Sequence, residues 1–152
     1  MTVQIETETV ADTMQAGRRL AAFLRPGDVV ALCGRLGAGK TAFAGGLAEG
    51  LGIEEPVISP SFVLVRSYHS GFIPLVHVDV YRLGSVGEFA DLDALEEARD
   101  GVLIVEWGDA VSSVLPEDHL RVEIMIRDED HRSIRFVPSG EWSDRPLEEL
   151  SL

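Results

Sequence analysis

The chain reads as an α/β domain built on a phosphate-binding loop, on three grounds. Gly34-Arg35-Leu36-Gly37-Ala38-Gly39-Lys40-Thr41 matches the G-x-x-x-x-G-K-[ST] pattern at every fixed position. The apolar run Asp28-Val29-Val30-Ala31-Leu32-Cys33 before it reads as a buried strand. After it, Phe43, Leu47 and Leu51 recur at i, i+4, i+8, the buried stripe of a helix. Strand, glycine loop and helix is the order the chemistry requires. The glycines let backbone N–H groups converge on phosphate oxygens, and the helix N-terminus adds its partial positive charge. In such a loop Gly34, Leu36, Gly37, Ala38, Gly39 and Ala42 line the nucleotide, Lys40 reaches the β- and γ-phosphates, and the Thr41 hydroxyl ligates Mg²⁺. Lys40 is the only lysine among the 13 Lys and Arg residues, and its compact ammonium suits a phosphate cradle better than a planar guanidinium.

The remaining elements follow in order. Val3-Gln4-Ile5-Glu6-Thr7 alternates apolar and polar, a half-buried strand. Thr9 or Asp12 caps the next helix, with Met14, Leu20, Ala21 and Leu24 on its apolar side. Pro26-Gly27-Asp28 stops it and launches the loop strand. The helix from Thr41 contains Gly45, Gly46 and Gly50, each costing about 1 kcal/mol against alanine, so close packing against it is expected. Two prolines around Ser59 and Ser61 mark an irregular loop at 56–62. Residues 62–68 and 73–81 read as a strand pair joined through Ser70-Gly71. An acidic helix is expected from Val86 to Arg99, with Phe89, Leu92 and Leu95 on one side. Val102-Leu103-Ile104-Val105 is continuous apolar sequence, as in a strand buried on both faces. A short helix closed by Leu115-Pro116 precedes strands at 119–126 and 132–137, joined by Asp128-Glu129-Asp130. These elements form one domain, residues 1–138. Residues 139–152 read as an acidic, loosely held tail.

Composition narrows the function. With 152 residues the chain suits one domain with a sizeable core. No apolar stretch approaches the ~18 residues of a transmembrane helix, the first residues lack a signal-peptide pattern, and Cys33 has no intrachain partner, so a cytoplasmic protein away from membranes is expected. The net charge of −13 repels a phosphate backbone, so any nucleic-acid role runs through a partner. The four histidines and one cysteine show no zinc spacing.

Mg²⁺ needs a carboxylate beyond Thr41. Two acids stand where apolar runs end, Asp79 and Glu106. The residues alone leave both in play, although Glu106 follows the purer apolar strand, as a central strand delivering an acid to the ligand edge would.

Taken together, the phosphate loop, Ser59-Pro60-Ser61-Phe62, His77-Val78-Asp79-Val80-Tyr81-Arg82-Leu83 and Val105-Glu106-Trp107 resemble the TsaE (YjeE) family, over roughly residues 3 to 137. That family is the small ATPase of bacterial threonylcarbamoyladenosine synthesis on tRNA. The phosphate loop is unspecific, whereas H-x-D-x-Y-R-L with E-W is far more specific. One departure is Ser61 where the family usually has threonine, which keeps the hydroxyl. The resemblance implies a P-loop NTPase-like mixed sheet with parallel centre, antiparallel flanks and helices on both faces. It implies ATP or ADP with Mg²⁺ held by Thr41 and Glu106, Asp79 as the water-positioning or sensing acid at the γ-phosphate, and a switch-like loop at Ser59 and Ser61. It places Thr13 and Arg132 near the base or ribose. The implied partners are TsaD and TsaB; TsaD modifies adenosine 37 of tRNA, and ATP hydrolysis resets that complex between turnovers.

Other residues carry two readings. His77 lies on a strand pattern and reads as structural rather than catalytic. Tyr81 and Arg82 serve the sheet or a partner, with Arg82 as an arginine finger the less favoured reading. Trp107 packs near the nucleotide or in the core. Two rival functions remain at this level. A small-molecule P-loop kinase would need a lid with paired arginines, and 84–115 contains only Arg99. A non-hydrolysing regulatory nucleotide-binding module is the other.

Overall fold

The computed structural model describes residues 2–57, 65–80, 93–107 and 113–150. Seven strands form one sheet: β1 (Val3–Thr7), β2 (Val29–Cys33), β3 (Val65–Tyr68), β4 (Leu75–Asp79), β5 (Val102–Glu106), β6 (Leu120–Ile126) and β7 (Arg132–Pro138). Their spatial order is β1-β7-β6-β2-β5-β4-β3. The centre is parallel, β6 with β2, β2 with β5 and β5 with β4. The flanks are antiparallel, β1 with β7, β7 with β6 and β4 with β3. This is the mixed sheet expected.

Among the described residues α1 (Val10–Leu20) and α2 (Lys40–Gly50) pack on one face. α1 starts at an N-cap, Thr9, with Asp12 at its third helical position. The Thr9 hydroxyl accepts from the Asp12 N–H at 3.1 Å, and the Asp12 carboxylate accepts from the Glu8 N–H at 3.1 Å. Of the two candidates Thr9 is the cap, while Asp12 lies inside the helix and ties down the Glu8 N–H before it. The helices pack backbone to backbone. A Cβ on Gly46 would lie 1.8 Å from the Met14 carbonyl oxygen, and one on Gly17 would lie 2.2 Å from that of Phe43. Gly46 and Gly50 are therefore glycines of close approach, as expected. Gly45 is not: a Cβ there meets nothing within 4 Å.

β5 is buried throughout because alternate residues serve two cores. Val102 and Ile104 join the core under α1 and α2, while Leu103 and Val105 join the opposite core with Val76, Val78, Ala94 and Ala98. The second core lies under α3 (Ala94–Glu97). A continuous helix from Val86 to Arg99 is corrected here: Asp93 has φ 53°, left-handed backbone that a helix cannot run through, and α3 begins after it and ends at Glu97; residues 86–92 lie outside the described residues. Ala94 and Ala98, not the exposed Leu95, face the sheet. Phe89 and Leu92 lie outside the described residues.

The expectation of a loosely held tail is also corrected. Residues 140–144 and 147–150 form two 3-10 turns that bury Trp142, Leu147 and Leu150 in the main core. Arg145 locks them down, with Nη2 2.8 Å from Asp28 Oδ1 and its guanidinium 3.7 Å over the Trp142 ring. Acidic composition concealed three apolar anchors. No helix among the described residues is long and apolar enough to cross a membrane.

Candidate nucleotide and metal site

The site forms where β2, β4 and β5 end together. β2 runs into the phosphate loop, and β4 and β5 deliver Asp79 and Glu106 as directly opposed residues of a parallel pair. Strand period places Leu75, His77 and Asp79 on one face of β4, and Val102, Ile104 and Glu106 on the same face of β5. That face is the one α2 covers.

The loop has the backbone a phosphate cradle needs. Gly37 and Gly39 have φ +83° and +108°, a region that side chains other than glycine rarely adopt. A Cβ on Gly37 would project into open space, and one on Gly39 would approach only the Thr13 methyl at 3.5 Å. Gly39 caps α2, so the N–H groups of its first turn face the loop. Ala38 is fully buried, while Leu36 is 78% exposed at the loop's tip. Gly34 is tight for a different reason, since a Cβ there would meet the Ile124 carbonyl at 2.8 Å.

A cavity of about 260 Å³ lies over the loop, with Lys40, Thr41, Asp79, Glu106 and Trp107 in its wall beside Leu36, Gly37, Gly39 and Ala42. Lys40 is buried. Its ammonium donates to the carbonyls of Gly34 (2.6 Å) and Arg35 (3.0 Å) and stands 3.8 Å over the Trp107 ring. Trp107, just past β5, has φ 63°, uncommon for a bulky residue, and lines the cavity. Asp79 and Glu106 are buried at 5% and 3% exposure, and His77 Nε2 lies 2.6 Å from Glu106 Oε2.

These residues fit Mg²⁺ with a nucleotide. Among the described residues no group of three or more His, Cys, Asp or Glu could hold a metal by itself. Mg²⁺ with nucleotide needs no such cluster, since one or two carboxylates, a hydroxyl, phosphates and water complete its shell.

A second cavity of about 80 Å³ adjoins the first through Gly37, Gly39 and Ala42, and contains Val10, Thr13, Glu129, Asp130 and Arg132. Thr13 and Arg132 are thus brought together beside the loop, in a cavity that Asp79 and Glu106 do not line. Both are already engaged. Thr13 Oγ1 lies 3.2 Å from Thr7 Oγ1, and Arg132 donates from Nε to the Ala38 carbonyl at 3.0 Å. Arg132 Nη1 also donates to the Asp128 carbonyl at 2.9 Å, tying the β6–β7 turn to the phosphate loop. That turn is set by Asp128, which accepts from the His131 and Asp130 N–H groups. The His131 N–H chiefly holds the Asp128 carboxyl below the ordinary aspartate value; burial opposes it, and the Asp130 N–H and the His131 side chain add to the lowering.

Ser59 and Ser61, with Tyr81 and Arg82, lie outside the described residues. Sequence reasoning missed the His77–Glu106 contact and the bracing of the loop by Arg132. Neither leaves a local signal, since one spans two strands and the other 94 positions.

Residues 7–134 match the family model described as "Threonylcarbamoyl adenosine biosynthesis protein TsaE". The chain is 41% identical over 150 residues to the tRNA threonylcarbamoyladenosine biosynthesis protein TsaE of Bacillus subtilis, covering 97% of this chain and 94% of that one. It is 50% identical over 113 residues to the protein of the same name from Streptomyces coelicolor, covering 72% and 76%. The fold is similar to the crystal structure of Bacillus subtilis YdiB, with TM-score 0.82 and 37% identity over 99% of this chain and 94% of that one.

Proposed function

The chain belongs to the TsaE family of threonylcarbamoyladenosine biosynthesis proteins, and on that premise we propose that it is a Mg²⁺-dependent ATPase. Its partners in this reading are TsaD and TsaB, its hydrolysis supports their turnover on adenosine 37 of tRNA, and tRNA is reached only through them. One observation carries the proposal: Lys40, Thr41, Asp79 and Glu106 share the wall of one cavity at the carboxyl edge of the parallel strands.

Each residue has a task there. Lys40 exchanges the Gly34 and Arg35 carbonyls for β- and γ-phosphate oxygens, and Trp107 supports its ammonium. Thr41 and Glu106 hold Mg²⁺, whose chemistry when bound is to neutralise charge on those oxygens. Asp79 accepts a hydrogen bond from the attacking water and orients it in line with the γ-phosphate. The second cavity, with Thr13 and Arg132, takes the ribose or base. A transition-state cation besides Lys40 is what a partner would add.

The test is phosphate release from ATP by the chain alone and with TsaD and TsaB. Slow release that the two proteins raise, and that Lys40→Ala abolishes, supports the reading. Fast release unaltered by the partners defeats the coupling, and no release under any condition leaves a non-hydrolysing nucleotide module. Phosphate transfer to a small acceptor in place of water would favour a kinase.

A further inference from the structure

We propose that His77 is a positioning residue that fixes how Glu106 meets the metal, committing one carboxylate oxygen and leaving the other as a single, monodentate ligand. The inference rests on the reading of Glu106 as the Mg²⁺ ligand and adds a residue to it.

His77 stands opposite Ile104 in the β4–β5 pair, one step before Asp79 and Glu106 on the same face. It is fully buried, and its Nε2 lies 2.6 Å from Glu106 Oε2. Packing does not account for an imidazole here, because its neighbours along that face, Leu75 and Ile104, are aliphatic and equally buried. Burying a polar ring is unfavourable unless both nitrogens are bonded. Nδ1 is buried with no hydrogen-bond partner among the described residues, so the fold retains this ring at a cost. The bond to Glu106 is what it gains. In that bond the Nε2–H donates and the carboxylate oxygen Oε2 accepts.

The consequence is geometric. A carboxylate free to turn can bind a metal through both oxygens, as Ca²⁺ often requires. A carboxylate with Oε2 held by His77 offers Oε1 alone, which suits the compact octahedral shell of Mg²⁺. His77 therefore favours Mg²⁺ over Ca²⁺ as well as tightening the site, as partners of metal ligands commonly do.

The experiment titrates Mg²⁺ and Ca²⁺ against a fluorescent, non-hydrolysable ATP analogue bound to the full chain, so that no turnover is needed. His77→Gln and His77→Asn bear the same amide, but only the glutamine places its N–H group where Nε2 lies. His77→Asn should raise the half-saturating Mg²⁺ concentration by about 10- to 100-fold and narrow the preference for Mg²⁺ over Ca²⁺. His77→Gln should stay near the parent, and both should bind metal-free nucleotide as the parent does. Should the asparagine variant fail to fold, His77→Leu, which matches the aliphatic neighbours, takes its place with the same expectation. Equal behaviour of the donor-retaining and donor-lacking variants overturns the proposal. Glu106→Gln separates the two layers. If it raises the Mg²⁺ requirement while the His77 variants do not, only the positioning role fails; if it has no effect, the metal reading fails and this inference with it.

Discussion

Asp79 and Glu106 face each other across the parallel β4–β5 pair, the last register positions before the strands part. Both are almost fully buried, both line the cavity over the phosphate loop, and only Glu106 is bonded to His77. Two carboxylates so close should carry different tasks, and substitution should separate them. Glu106→Gln should raise the Mg²⁺ concentration needed for ATP hydrolysis. Asp79→Asn should lower turnover with nucleotide affinity retained, the pattern of an interaction made in the transition state. Steady-state rates across a Mg²⁺ series decide it, and the opposite pattern would reverse the two assignments.

Lys40 and Thr41 are adjacent, yet they should fail differently. Lys40→Ala removes a charged donor to phosphate, a contribution of about 1.5–3 kcal/mol, so ATP affinity should fall at least tenfold. Folding should persist, since the ammonium donates to the loop carbonyls of Gly34 and Arg35 and stands over Trp107 at the cavity wall. Thr41→Ala should weaken ATP binding in Mg²⁺ and leave metal-free binding nearly unchanged. Calorimetry with and without Mg²⁺ checks both, and equal losses for Thr41→Ala in the two conditions would remove its metal role.

Adjacent glycines of α2 should respond in opposite directions to alanine. At Gly45 the new Cβ meets nothing and the helix gains propensity, so Gly45→Ala should stabilise by about 1 kcal/mol. At Gly46 the Cβ would collide with the Met14 backbone, which a side-chain rotation cannot relieve, so Gly46→Ala should destabilise the α1–α2 pair strongly. Thermal melts of the two variants are the measurement. A stabilised Gly46→Ala would show that the helices do not pack this closely.

Much of this architecture was legible because it is local. The β5 run, the Phe43-Leu47-Leu51 stripe and the capping signal at Thr9 each depend on a few neighbouring residues, and each element is present. Alternation along β4 would also have put His77 and Asp79 on one face. What no local pattern contains is register: that Asp79 falls opposite Glu106, and that His77 reaches across to it, depends on how two distant strands align. The tail misled for another reason. Trp142, Leu147 and Leu150 are spaced irregularly among acids, so neither helical nor strand period reveals that they reach the core. The left-handed backbone of Asp93 leaves no local signal, since helix-forming residues surround it in the sequence.

Acid should loosen the β6–β7 turn through Asp128. Its carboxyl is held below the ordinary value, chiefly by the His131 N–H, so the ionised form favours the fold. That contribution is present above the unfolded aspartate value, about 4, and is lost as pH falls through the lower folded one. Asp128→Asn should therefore have a lower Tm than the parent at neutral pH, and the gap should close in acid. A gap that persists at low pH would mean that the charge of Asp128 does not hold the turn.

Arg132 should act on the nucleotide through the phosphate loop itself. Its Nε donates to the Ala38 carbonyl at 3.0 Å, and Nη1 donates to the carbonyls of Asp128 and His131, both at 2.9 Å. One planar group thus joins the loop to the β6–β7 turn across the smaller cavity. Lysine preserves the charge but not the fork, so it cannot span both sets of carbonyls. If Arg132 attracted the nucleotide by charge alone, Arg132→Lys would bind as the parent does. Bracing predicts instead that Arg132→Lys weakens ATP and ADP to a similar degree, with or without Mg²⁺, because the cradle itself is less ordered. Amide exchange should speed up at Gly37 to Gly39 in the nucleotide-free variant while the exchange of β2 and β5 stays unchanged. Parent-like affinity and loop protection in Arg132→Lys would refute the brace and leave the guanidinium as a simple counter-charge.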